Sequence, residues 1–492
     1  MVDASSVGPH TVLLAKPTRA LLAFVVLVVG LESIPLLKRW QIFPKQLETN
    51  EPVDTTTLVN AALTVGEATL HEESHTTLDL ANSNSTGIRS RGPIAKAAFV
   101  DDHPIDVDTK APPVPIEDLT GHSLDGFLAR LRATANKQPG AITRIVHFGD
   151  SVVASDYVSS TLRRRFQEQF GDAGHGFTLI ANAWPAYFHE GVSRFATSGW
   201  LISRVVGPLA SDGWHGLGGV SFRAPPHLLA RIGTAKKGDV GRRVSKFILA
   251  YVEAPDGGQV DIRIDGMARE QLDTKGIEKR FRAVTYVTTD GEHEFELQTT
   301  KGTSRFFGVV LERDEPGVVL DSIGIQGARI RFLDKQDDSH FRQQLAWRDP
   351  GLVIYQFGAN ESADGYAYSM DDYHQTMKAV IAQQQRALPS SSCLILGAMD
   401  RASRKGDEIR SLSIIPLIVD QQRKVANELG CAFFDTFKAM GGVGSMPRWF
   451  RRDLGQTDLT HPTAVGAEVI GNWIFRALMQ AARSKNVTDS LR

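Results

Sequence analysis

Over most of the chain, apolar positions switch between strand-like and helical spacing. Residues 142–148 form an apolar alternating run, and residues 157–170 carry apolar side chains at helical spacing. From residue 318 onward the same order repeats. The strand-like and helical runs are 318–325 and 338–347, 352–356 and 370–387, 393–397 and 414–429, and 431–434 and 464–482. This alternation predicts an α/β fold in which helices cover both faces of a mostly parallel sheet.

Residues 193–316 interrupt the alternation. They show no helical periodicity of useful length and consist of short β-prone runs punctuated by Gly and Asp. These runs are 244–252, 260–264, 281–287, 293–297 and 306–311. Strands at this spacing predict an antiparallel β-sandwich or jelly roll. We therefore expect an α/β core in two parts, residues 116–192 and 317–485, with the β module inserted between them.

The N-terminal part of the chain differs in character from the rest. Residues 20–31 are apolar, follow two basic residues and continue almost unbroken to residue 37, which suits a signal anchor within residues 1–40. A cleaved signal peptide is the alternative, and a buried soluble helix is less favoured. Residues 41–115 are polar and are predicted to be a disordered linker. Together they predict an extracytoplasmic protein, on the periplasmic side and tethered to the inner membrane.

Composition limits the possible functions only partly. The 492 residues, 42% hydrophobic and 23% charged, are enough for two or three globular domains. A formal net charge of −1 offers no electrostatic basis for binding nucleic acid. Cys393 and Cys431 lie in or beside strand-like runs, and buried free thiols are favoured over a disulfide between adjacent strands. No spacing of Cys or His is typical of a metal site, and no cofactor is expected.

Three polar motifs stand where apolar runs end or a helix begins, and such strand ends carry the reactive groups of open α/β sheets. Ser151 closes a Gly-Asp-Ser triplet after the first strand, Asn360 follows a later strand, and Asp458 and His461 precede the last helix. A serine hydroxyl is a weak nucleophile until a base removes its proton, and His461 is the candidate base. Asp458 is placed to orient its imidazole. Helix caps for the serine and aspartate, and a loop position for the histidine, are the alternatives.

These motifs give the chain a resemblance to the SGNH hydrolases, the superfamily of Gly-Asp-Ser-Leu lipases and esterases. The Gly-Asp-Ser triplet matches the first family motif, and the Asp-Leu-Thr-His segment matches the last. The resemblance extends over about residues 140–190 and 317–483. It implies a flavodoxin-like three-layer core and a catalytic triad of Ser151, His461 and Asp458.

The resemblance also implies an oxyanion hole, which is the set of hydrogen-bond donors that stabilises the negative charge of an acyl-transfer intermediate. Its donors would be the backbone N–H of Ser151, the backbone N–H of Gly327 and the side-chain amide of Asn360. Gly324 competes with Gly327 for this role because both lie in the same segment.

Further polar residues near the motifs are candidates for contacts with substrate. Asp150 is expected to cap or orient the nucleophile turn and, with Glu361, to adjoin the substrate. Glu361 stands where the family has Asp, so its role is open. Trp214, in a predicted loop of the β module, is the best candidate for stacking on a sugar, although aromatic residues of such modules are more often packed in their cores. Asp400 and Arg401, beyond another strand, are expected to form a structural ion pair.

The predicted architecture, a split core with an inserted sandwich, is similar to that of esterases that remove O-acetyl groups from peptidoglycan or other polysaccharides. The resemblance therefore implies a serine esterase with an acylated cell-envelope glycan as its partner. An O-acetyltransferase with the same triad and a non-catalytic glycan-binding protein are the alternatives. The oligomeric state is not predicted by any of these patterns.

Overall fold

The computed structural model describes residues 112–185, 187–236 and 241–484, in which the elements follow the predicted order. The first are α1 (Asp125–Ala135), β1 (Ile142–Gly149), α2 (Ser151–Ala154) and α3 (Tyr157–Phe170). Then come β2 (Gly176–Thr178), β3 (Val192–Ala196), β4 (Leu201–Arg204), β5 (Val220–Ala224), β6 (Leu229–Thr234), β7 (Val244–Glu253), β8 (Gln259–Ile264), β9 (Met267–Asp273), β10 (Arg280–Gly291), β11 (Glu294–Lys301) and β12 (Ser304–Glu312).

The remaining elements return to alternating strands and helices. They are β13 (Gly317–Gly324), α4 (Asp338–Arg348), β14 (Leu352–Gln356), α5 (Met370–Ala387), β15 (Ser392–Leu396), β16 (Ala402–Lys405), β17 (Glu408–Ser411), α6 (Ile415–Leu429), β18 (Ala432–Phe434), α7 (Thr436–Met440), α8 (Ser445–Arg451) and α9 (Ala464–Ser484). Two 3₁₀ segments, Ile330–Lys335 and Glu361–Ala367, follow β13 and β14 respectively.

The central sheet is parallel, and its strands lie in the order β13-β1-β14-β15-β18. Numbered along the chain, this is the flavodoxin-like order 2-1-3-4-5, which confirms the predicted fold class. Gly149, at the end of β1, pairs with Gly324 on one side and with Gln356 on the other. The three strands therefore end level, and the loops that follow them emerge side by side. The order reverses between β1 and β14, where such sheets form their crevice.

Helices cover both faces of the sheet, and its strands are therefore almost entirely buried. On one face, α1, α3 and α9 pack together, and Phe166 of α3 contacts Phe127 of α1 and Phe475 of α9 at ring-centroid distances of 5.9 and 5.1 Å. On the other face, α4, α5 and α6 belong to a second apolar cluster, in which Phe148 of β1 contacts Phe341 of α4 at 5.9 Å.

The part of the chain between β1 and β13 forms two antiparallel sheets, which are separate from the parallel sheet. One has the order β10-β7-β12-β5-β4, with β2 paired to β12, and the other has the order β3-β6-β11-β8-β9. They pack against each other through aromatic side chains: Phe295 of β11 lies 5.6 Å from Phe247 of β7 and 5.7 Å from Tyr286 of β10. This arrangement is consistent with an inserted β module, whose boundaries stay predictions.

A buried ionic network joins the β module to the parallel sheet. Arg348 of α4 donates to Asp321 of β13 at 2.7 Å and to Glu312 of β12 at 2.8 Å. Arg144 of β1 binds the other oxygen of Glu312 at 2.8 Å. Burial tends to raise the pKa of Glu312, but the two guanidinium groups hold it at about 2. The carboxylate therefore stays ionised and holds β12 against β1 and α4.

The expectation of two free thiols was wrong. Cys393 of β15 and Cys431, which directly precedes β18, form a disulfide with their Cα atoms 4.7 Å apart. The physical reason is the strand order: β15 and β18 are neighbours although α6 separates them along the chain.

The predicted signal anchor and nearly all of the predicted linker lie outside the described residues. Within the ranges that are described, no helix is both long enough and apolar enough to cross a bilayer. The tether and the localisation therefore stay predictions.

Candidate active site

The nucleophile lies on a sharp turn from β1 into α2, because two glycines allow the chain to pass close to its neighbours. A Cβ atom on Gly149 would stand 2.3 Å from Cγ2 of Val153, and one on Gly324 would stand 1.9 Å from the backbone nitrogen of Ala154. Gly324 is thus required for the packing of α2 against β13. Ser151 opens α2 at the carboxyl end of β1 and is partly exposed.

The predicted acid and base meet the nucleophile in a continuous chain of hydrogen bonds. Oγ of Ser151 lies 2.7 Å from Nε2 of His461, and Nδ1 of His461 lies 2.6 Å from Oδ2 of Asp458. The second carboxylate oxygen of Asp458 accepts the backbone N–H groups of Thr460, at 2.9 Å, and His461, at 3.0 Å. This geometry places His461 to take the serine proton and Asp458 to hold its tautomer.

The local environment keeps Asp458 ionised. Burial tends to raise the pKa of this carboxyl, but the backbone N–H and the imidazole of His461 outweigh it and hold the pKa below its usual range. The side chains of His461 and Asp458 are 30% and 46% exposed, so the triad lies at an open surface. The structure brings these three predicted residues together.

The two loops beside the nucleophile carry the other predicted oxyanion donors. Gly327 has φ +77° in the turn closed by the bond from the Ala328 N–H to the Ile325 carbonyl, and no atom lies within 4 Å of the place of its missing Cβ. Asn360, after β14, donates from Nδ2 to the carbonyl of Ala328 at 2.9 Å. An amide NH₂ has two hydrogens, so Asn360 keeps one for a substrate oxygen. These contacts favour Gly327 over Gly324 as the oxyanion residue.

Asp150 and Glu361 lie beneath the site, which corrects the expectation that they adjoin substrate. Asp150 is 2% exposed and caps α2 by accepting the N–H of Val152 at 3.0 Å. Glu361 has no exposed surface, and its two oxygens accept the N–H groups of Ile330, at 2.8 Å, and Gly358, at 3.0 Å. Burial raises the pKa of Asp150 to about 6 and that of Glu361 to about 7. Glu361 joins the loop after β13 to the loop after β14.

Trp214 does not present a free face. Its ring stacks on His340 with centroids 4.1 Å apart and an interplanar angle of 8°, and Nζ of Lys279 lies 4.0 Å from the ring centroid. None of its described contacts involves a residue of the triad. The expected sugar-stacking role therefore gains no support, because the ring is already packed between these two side chains.

Arg401 is a site residue whose role the sequence did not indicate. The expected ion pair with Asp400 is absent among the described contacts, and Asp400 instead accepts bonds from Ser411, at 2.6 Å, and from the N–H of Met446, at 2.8 Å. Arg401 donates to Thr460, within the Asp-Leu-Thr-His segment. Its position after a strand was the only sign in the sequence that it lies near the site. Its contacts could not be predicted, because its partners lie far away along the chain.

The arrangement suits acyl transfer: a serine, a base oriented by a carboxylate, and candidate donors on loops at the same edge of the sheet. In the described ranges, no group of three or more His, Cys, Asp or Glu side chains is arranged to hold a metal ion.

Comparison with known proteins agrees with this geometry. Residues 288–469 match the family model of GDSL-like lipases and acylhydrolases. The match includes Gly327, Asn360, Asp458 and His461, while Ser151 lies before it because the β module separates the nucleophile from the other motifs. No curated protein sequence matches the chain significantly.

A solved structure of a peptidoglycan O-acetylesterase has a similar fold, with a TM-score of 0.64 and 21% identity, over 75% of this chain and 99% of that one. A lipase/acylhydrolase from Enterococcus faecalis aligns with a TM-score of 0.26 and 17% identity, over 33% of this chain and 77% of that one. A family two carbohydrate esterase from Cellvibrio japonicus aligns with a TM-score of 0.22 and 10% identity, over 61% of this chain and 99% of that one. The fold comparison rests on the first structure. Together, the family-model match over residues 288–469 and this fold support an SGNH (GDSL-type) hydrolase, that is, a carboxylic ester hydrolase.

Proposed function

We propose that this protein is a serine esterase that removes acyl groups from a cell-envelope polysaccharide or peptidoglycan, and that the acyl group is acetyl. The observation that carries the proposal is the hydrogen-bonded series of Asp458, His461 and Ser151, with Asn360 and Gly327 on the adjacent loops. These groups supply a nucleophile, a proton carrier and oxyanion donors at one edge of the sheet.

The reaction proceeds through an acyl-enzyme. Oγ of Ser151 attacks the ester carbonyl while Nε2 of His461 accepts its proton, and Asp458 stabilises the imidazolium. The carbonyl oxygen becomes an oxyanion, which accepts hydrogen bonds from the N–H groups of Ser151 and Gly327 and from the amide of Asn360. The C–O bond to the sugar then breaks, and His461 returns the proton to the departing sugar oxygen. Water attacks the acyl-Ser151 ester by the same steps and releases acetate and the free serine.

Two observations support a polymeric substrate. The His461 and Asp458 side chains are partly exposed, so an ester carried on a long glycan can reach Ser151 without entering a tunnel. The fold similarity to the peptidoglycan O-acetylesterase extends over nearly all of that protein. We infer the acetyl group and the glycan from these two features together.

The extracytoplasmic location is part of the same proposal. A disulfide between Cys393 and Cys431 suits an oxidising compartment, because cytosolic thiols are kept reduced. The apolar stretch of residues 20–31 and the polar region after it suit export with a membrane tether. Partition of the full-length protein into the membrane fraction, lost on deletion of residues 1–40, would support the tether.

Acetate release tests the activity. Full-length protein is incubated with p-nitrophenyl acetate and with O-acetylated peptidoglycan, and Ser151→Ala is assayed beside it. Serine-dependent acetate release from both substrates is the expected result. Release from the small ester alone would contradict the glycan substrate, and appearance of the acetyl group on an added sugar hydroxyl would indicate a transferase.

A further inference from the structure

Arg401 connects two loops of the active site through a single guanidinium group. Its Nε donates to the hydroxyl of Thr460 at 2.9 Å, and its Nη1 donates to the carbonyl of Ala359 at 2.8 Å and to the hydroxyl of Ser362 at 3.0 Å. Thr460 directly precedes the base, His461, while Ala359 directly precedes the oxyanion residue, Asn360. The loop of the base and the loop of the oxyanion donor are therefore tied to one planar group.

The backbone around Arg401 binds the same base loop. The N–H of Ala402 donates to the carbonyl of Leu459 at 2.9 Å. Leu459 has φ +58°, a left-handed conformation that is uncommon for a residue other than glycine and that persists when its surroundings hold it. Contacts from residues 401 and 402 thus help to hold the segment between Asp458 and His461, together with the bonds that Asp458 accepts from its own loop.

The contacts of Arg401 require the shape of its side chain as well as its charge. A guanidinium group offers five N–H donors in a fixed plane, whereas a lysine ammonium is a compact point charge on a flexible stem. The half-buried arginine also lies near the carboxylates of Asp458 and Asp150 and interacts with both electrostatically. Lysine at this position would keep the charge and lose the simultaneous contacts to both loops.

We propose that Arg401 is a positioning residue, which sets the distance between the base His461 and the oxyanion donor Asn360 so that both act on one acyl group. The inference rests on the proposed function, because it assigns Arg401 a role in the same acyl transfer. Small errors in the placement of reacting groups are costly: a misplacement of about 1 Å reduces rates by about 10²-fold.

The test compares Arg401→Lys and Arg401→Met in the full-length protein, with Arg404→Lys and Arg404→Met as matched controls. Arg404 is exposed on the neighbouring strand β16 and lies outside the site. Both Arg401 variants are expected to lower kcat for p-nitrophenyl acetate by about 10–10²-fold and to change KM by less than about threefold. The controls should retain wild-type values. Wild-type kcat in Arg401→Lys, or a change confined to KM, would overturn the proposal.

A double-mutant cycle separates positioning from general stabilisation. Thr460→Val removes one acceptor of Arg401, so the double variant Arg401→Lys/Thr460→Val should be little worse than Arg401→Lys alone. If the fold-reductions in kcat of the two single variants multiply in the double variant, the two residues act independently, which would contradict the proposal. If the Arg401 variants do not fold, Thr460→Val and Ser362→Ala remove two of its three acceptors and should each lower kcat without a matching change in KM.

Labelling of Ser151 by a fluorophosphonate separates failure of this inference from failure of the proposed function. Labelling needs an activated serine and no glycan or acetyl group. If wild type hydrolyses no acetyl ester but is labelled, the proposed substrate is wrong, and slower labelling of Arg401→Lys still supports its positioning role. Equal labelling rates would overturn that role, and an unreactive wild type would overturn both proposals.

Discussion

Oγ of Ser151 and Nε2 of His461 lie 2.7 Å apart although 310 positions separate the two residues in the sequence. The helices that follow them explain this proximity, because α3 and α9 pack side by side. A Cβ atom on Gly471 of α9 would stand 2.7 Å from Cβ of Thr161 on α3, so the glycine permits the close approach. We therefore expect the distance between nucleophile and base to depend partly on this helix contact.

Substitution at that contact should disturb both stability and catalysis. Gly471→Ala places a methyl group where Thr161 already lies, and overpacking of this kind costs about 1–3 kcal/mol. We expect a lower free energy of unfolding and a lower kcat for p-nitrophenyl acetate. The double variant Gly471→Ala/Thr161→Ser, which removes one of the contacted atoms, should recover part of both. Unchanged kcat in a destabilised protein would show that the spacing is set elsewhere.

Ser151→Ala and His461→Ala should each abolish turnover while the protein stays folded. The first removes the nucleophile and the second removes the base. Because the residues of a triad act as one unit, loss of either one removes nearly all of the rate acceleration that the triad provides. Hydrolysis of p-nitrophenyl acetate and thermal unfolding followed by circular dichroism measure the two properties. Activity of Ser151→Ala equal to that of wild type would eliminate the acyl-Ser151 mechanism.

Asn360→Ala should lower kcat more than it changes KM. The amide donates to an oxyanion that exists only during the reaction, and loss of such a donor typically costs about 10²–10³ in rate. Asn360 also holds the carbonyl of Ala328, so Asn360→Asp is a second variant, which keeps the size of the side chain and removes its donors. Steady-state kinetics on the acetyl ester decide the matter: a rise in KM alone would indicate substrate binding instead.

Loss of the disulfide should weaken the fold and spare the chemistry. The Cys393–Cys431 bond spans 38 positions, for which the chain-entropy model gives about 4 kcal/mol. Cys393 stands near the start of β15 and Cys431 just before β18, so both are at the opposite end of the sheet from Ser151. The double alanine variant is expected to unfold at a lower denaturant concentration with its kcat unchanged. Equal stability of reduced and oxidised wild type would contradict this.

The stability of the protein should depend on the ionisation of Glu361. Burial raises its pKa to about 7, so the folded state binds a proton more tightly than the unfolded state does. Its contribution is fully present below the unfolded pKa of about 4.5 and is lost as the pH rises through about 7, a change on the order of 3 kcal/mol. Glu361→Gln cannot ionise, so wild type should lose stability relative to this variant between pH 5 and pH 8. The free energy of unfolding of both proteins is measured by denaturant unfolding across this pH range. The same pH dependence in wild type and Glu361→Gln would contradict the raised pKa.

The hydrophobic pattern predicted much of the fold correctly because it is strong and local. The helices Tyr157–Phe170 and Met370–Ala387 and the strand Leu352–Gln356 have the predicted bounds. Strand-end position also indicated Ser151 and Asn360, since level parallel strands bring their following loops together. The limits of the domains and the N-terminal tether stay predictions.

The sequence by itself determined the candidates for the chemistry, because Ser151, Asp458 and His461 stand in short motifs, and the structure brings their side chains within hydrogen-bonding distance. Only the tertiary structure decided what surrounds them. The disulfide, the burial of Glu361, the packing of Trp214 and the contacts of Arg401 all depend on residues far apart in the chain. The physical reason is that periodicity records whether a residue is buried, whereas the identity of its partner is set by strand order and helix packing.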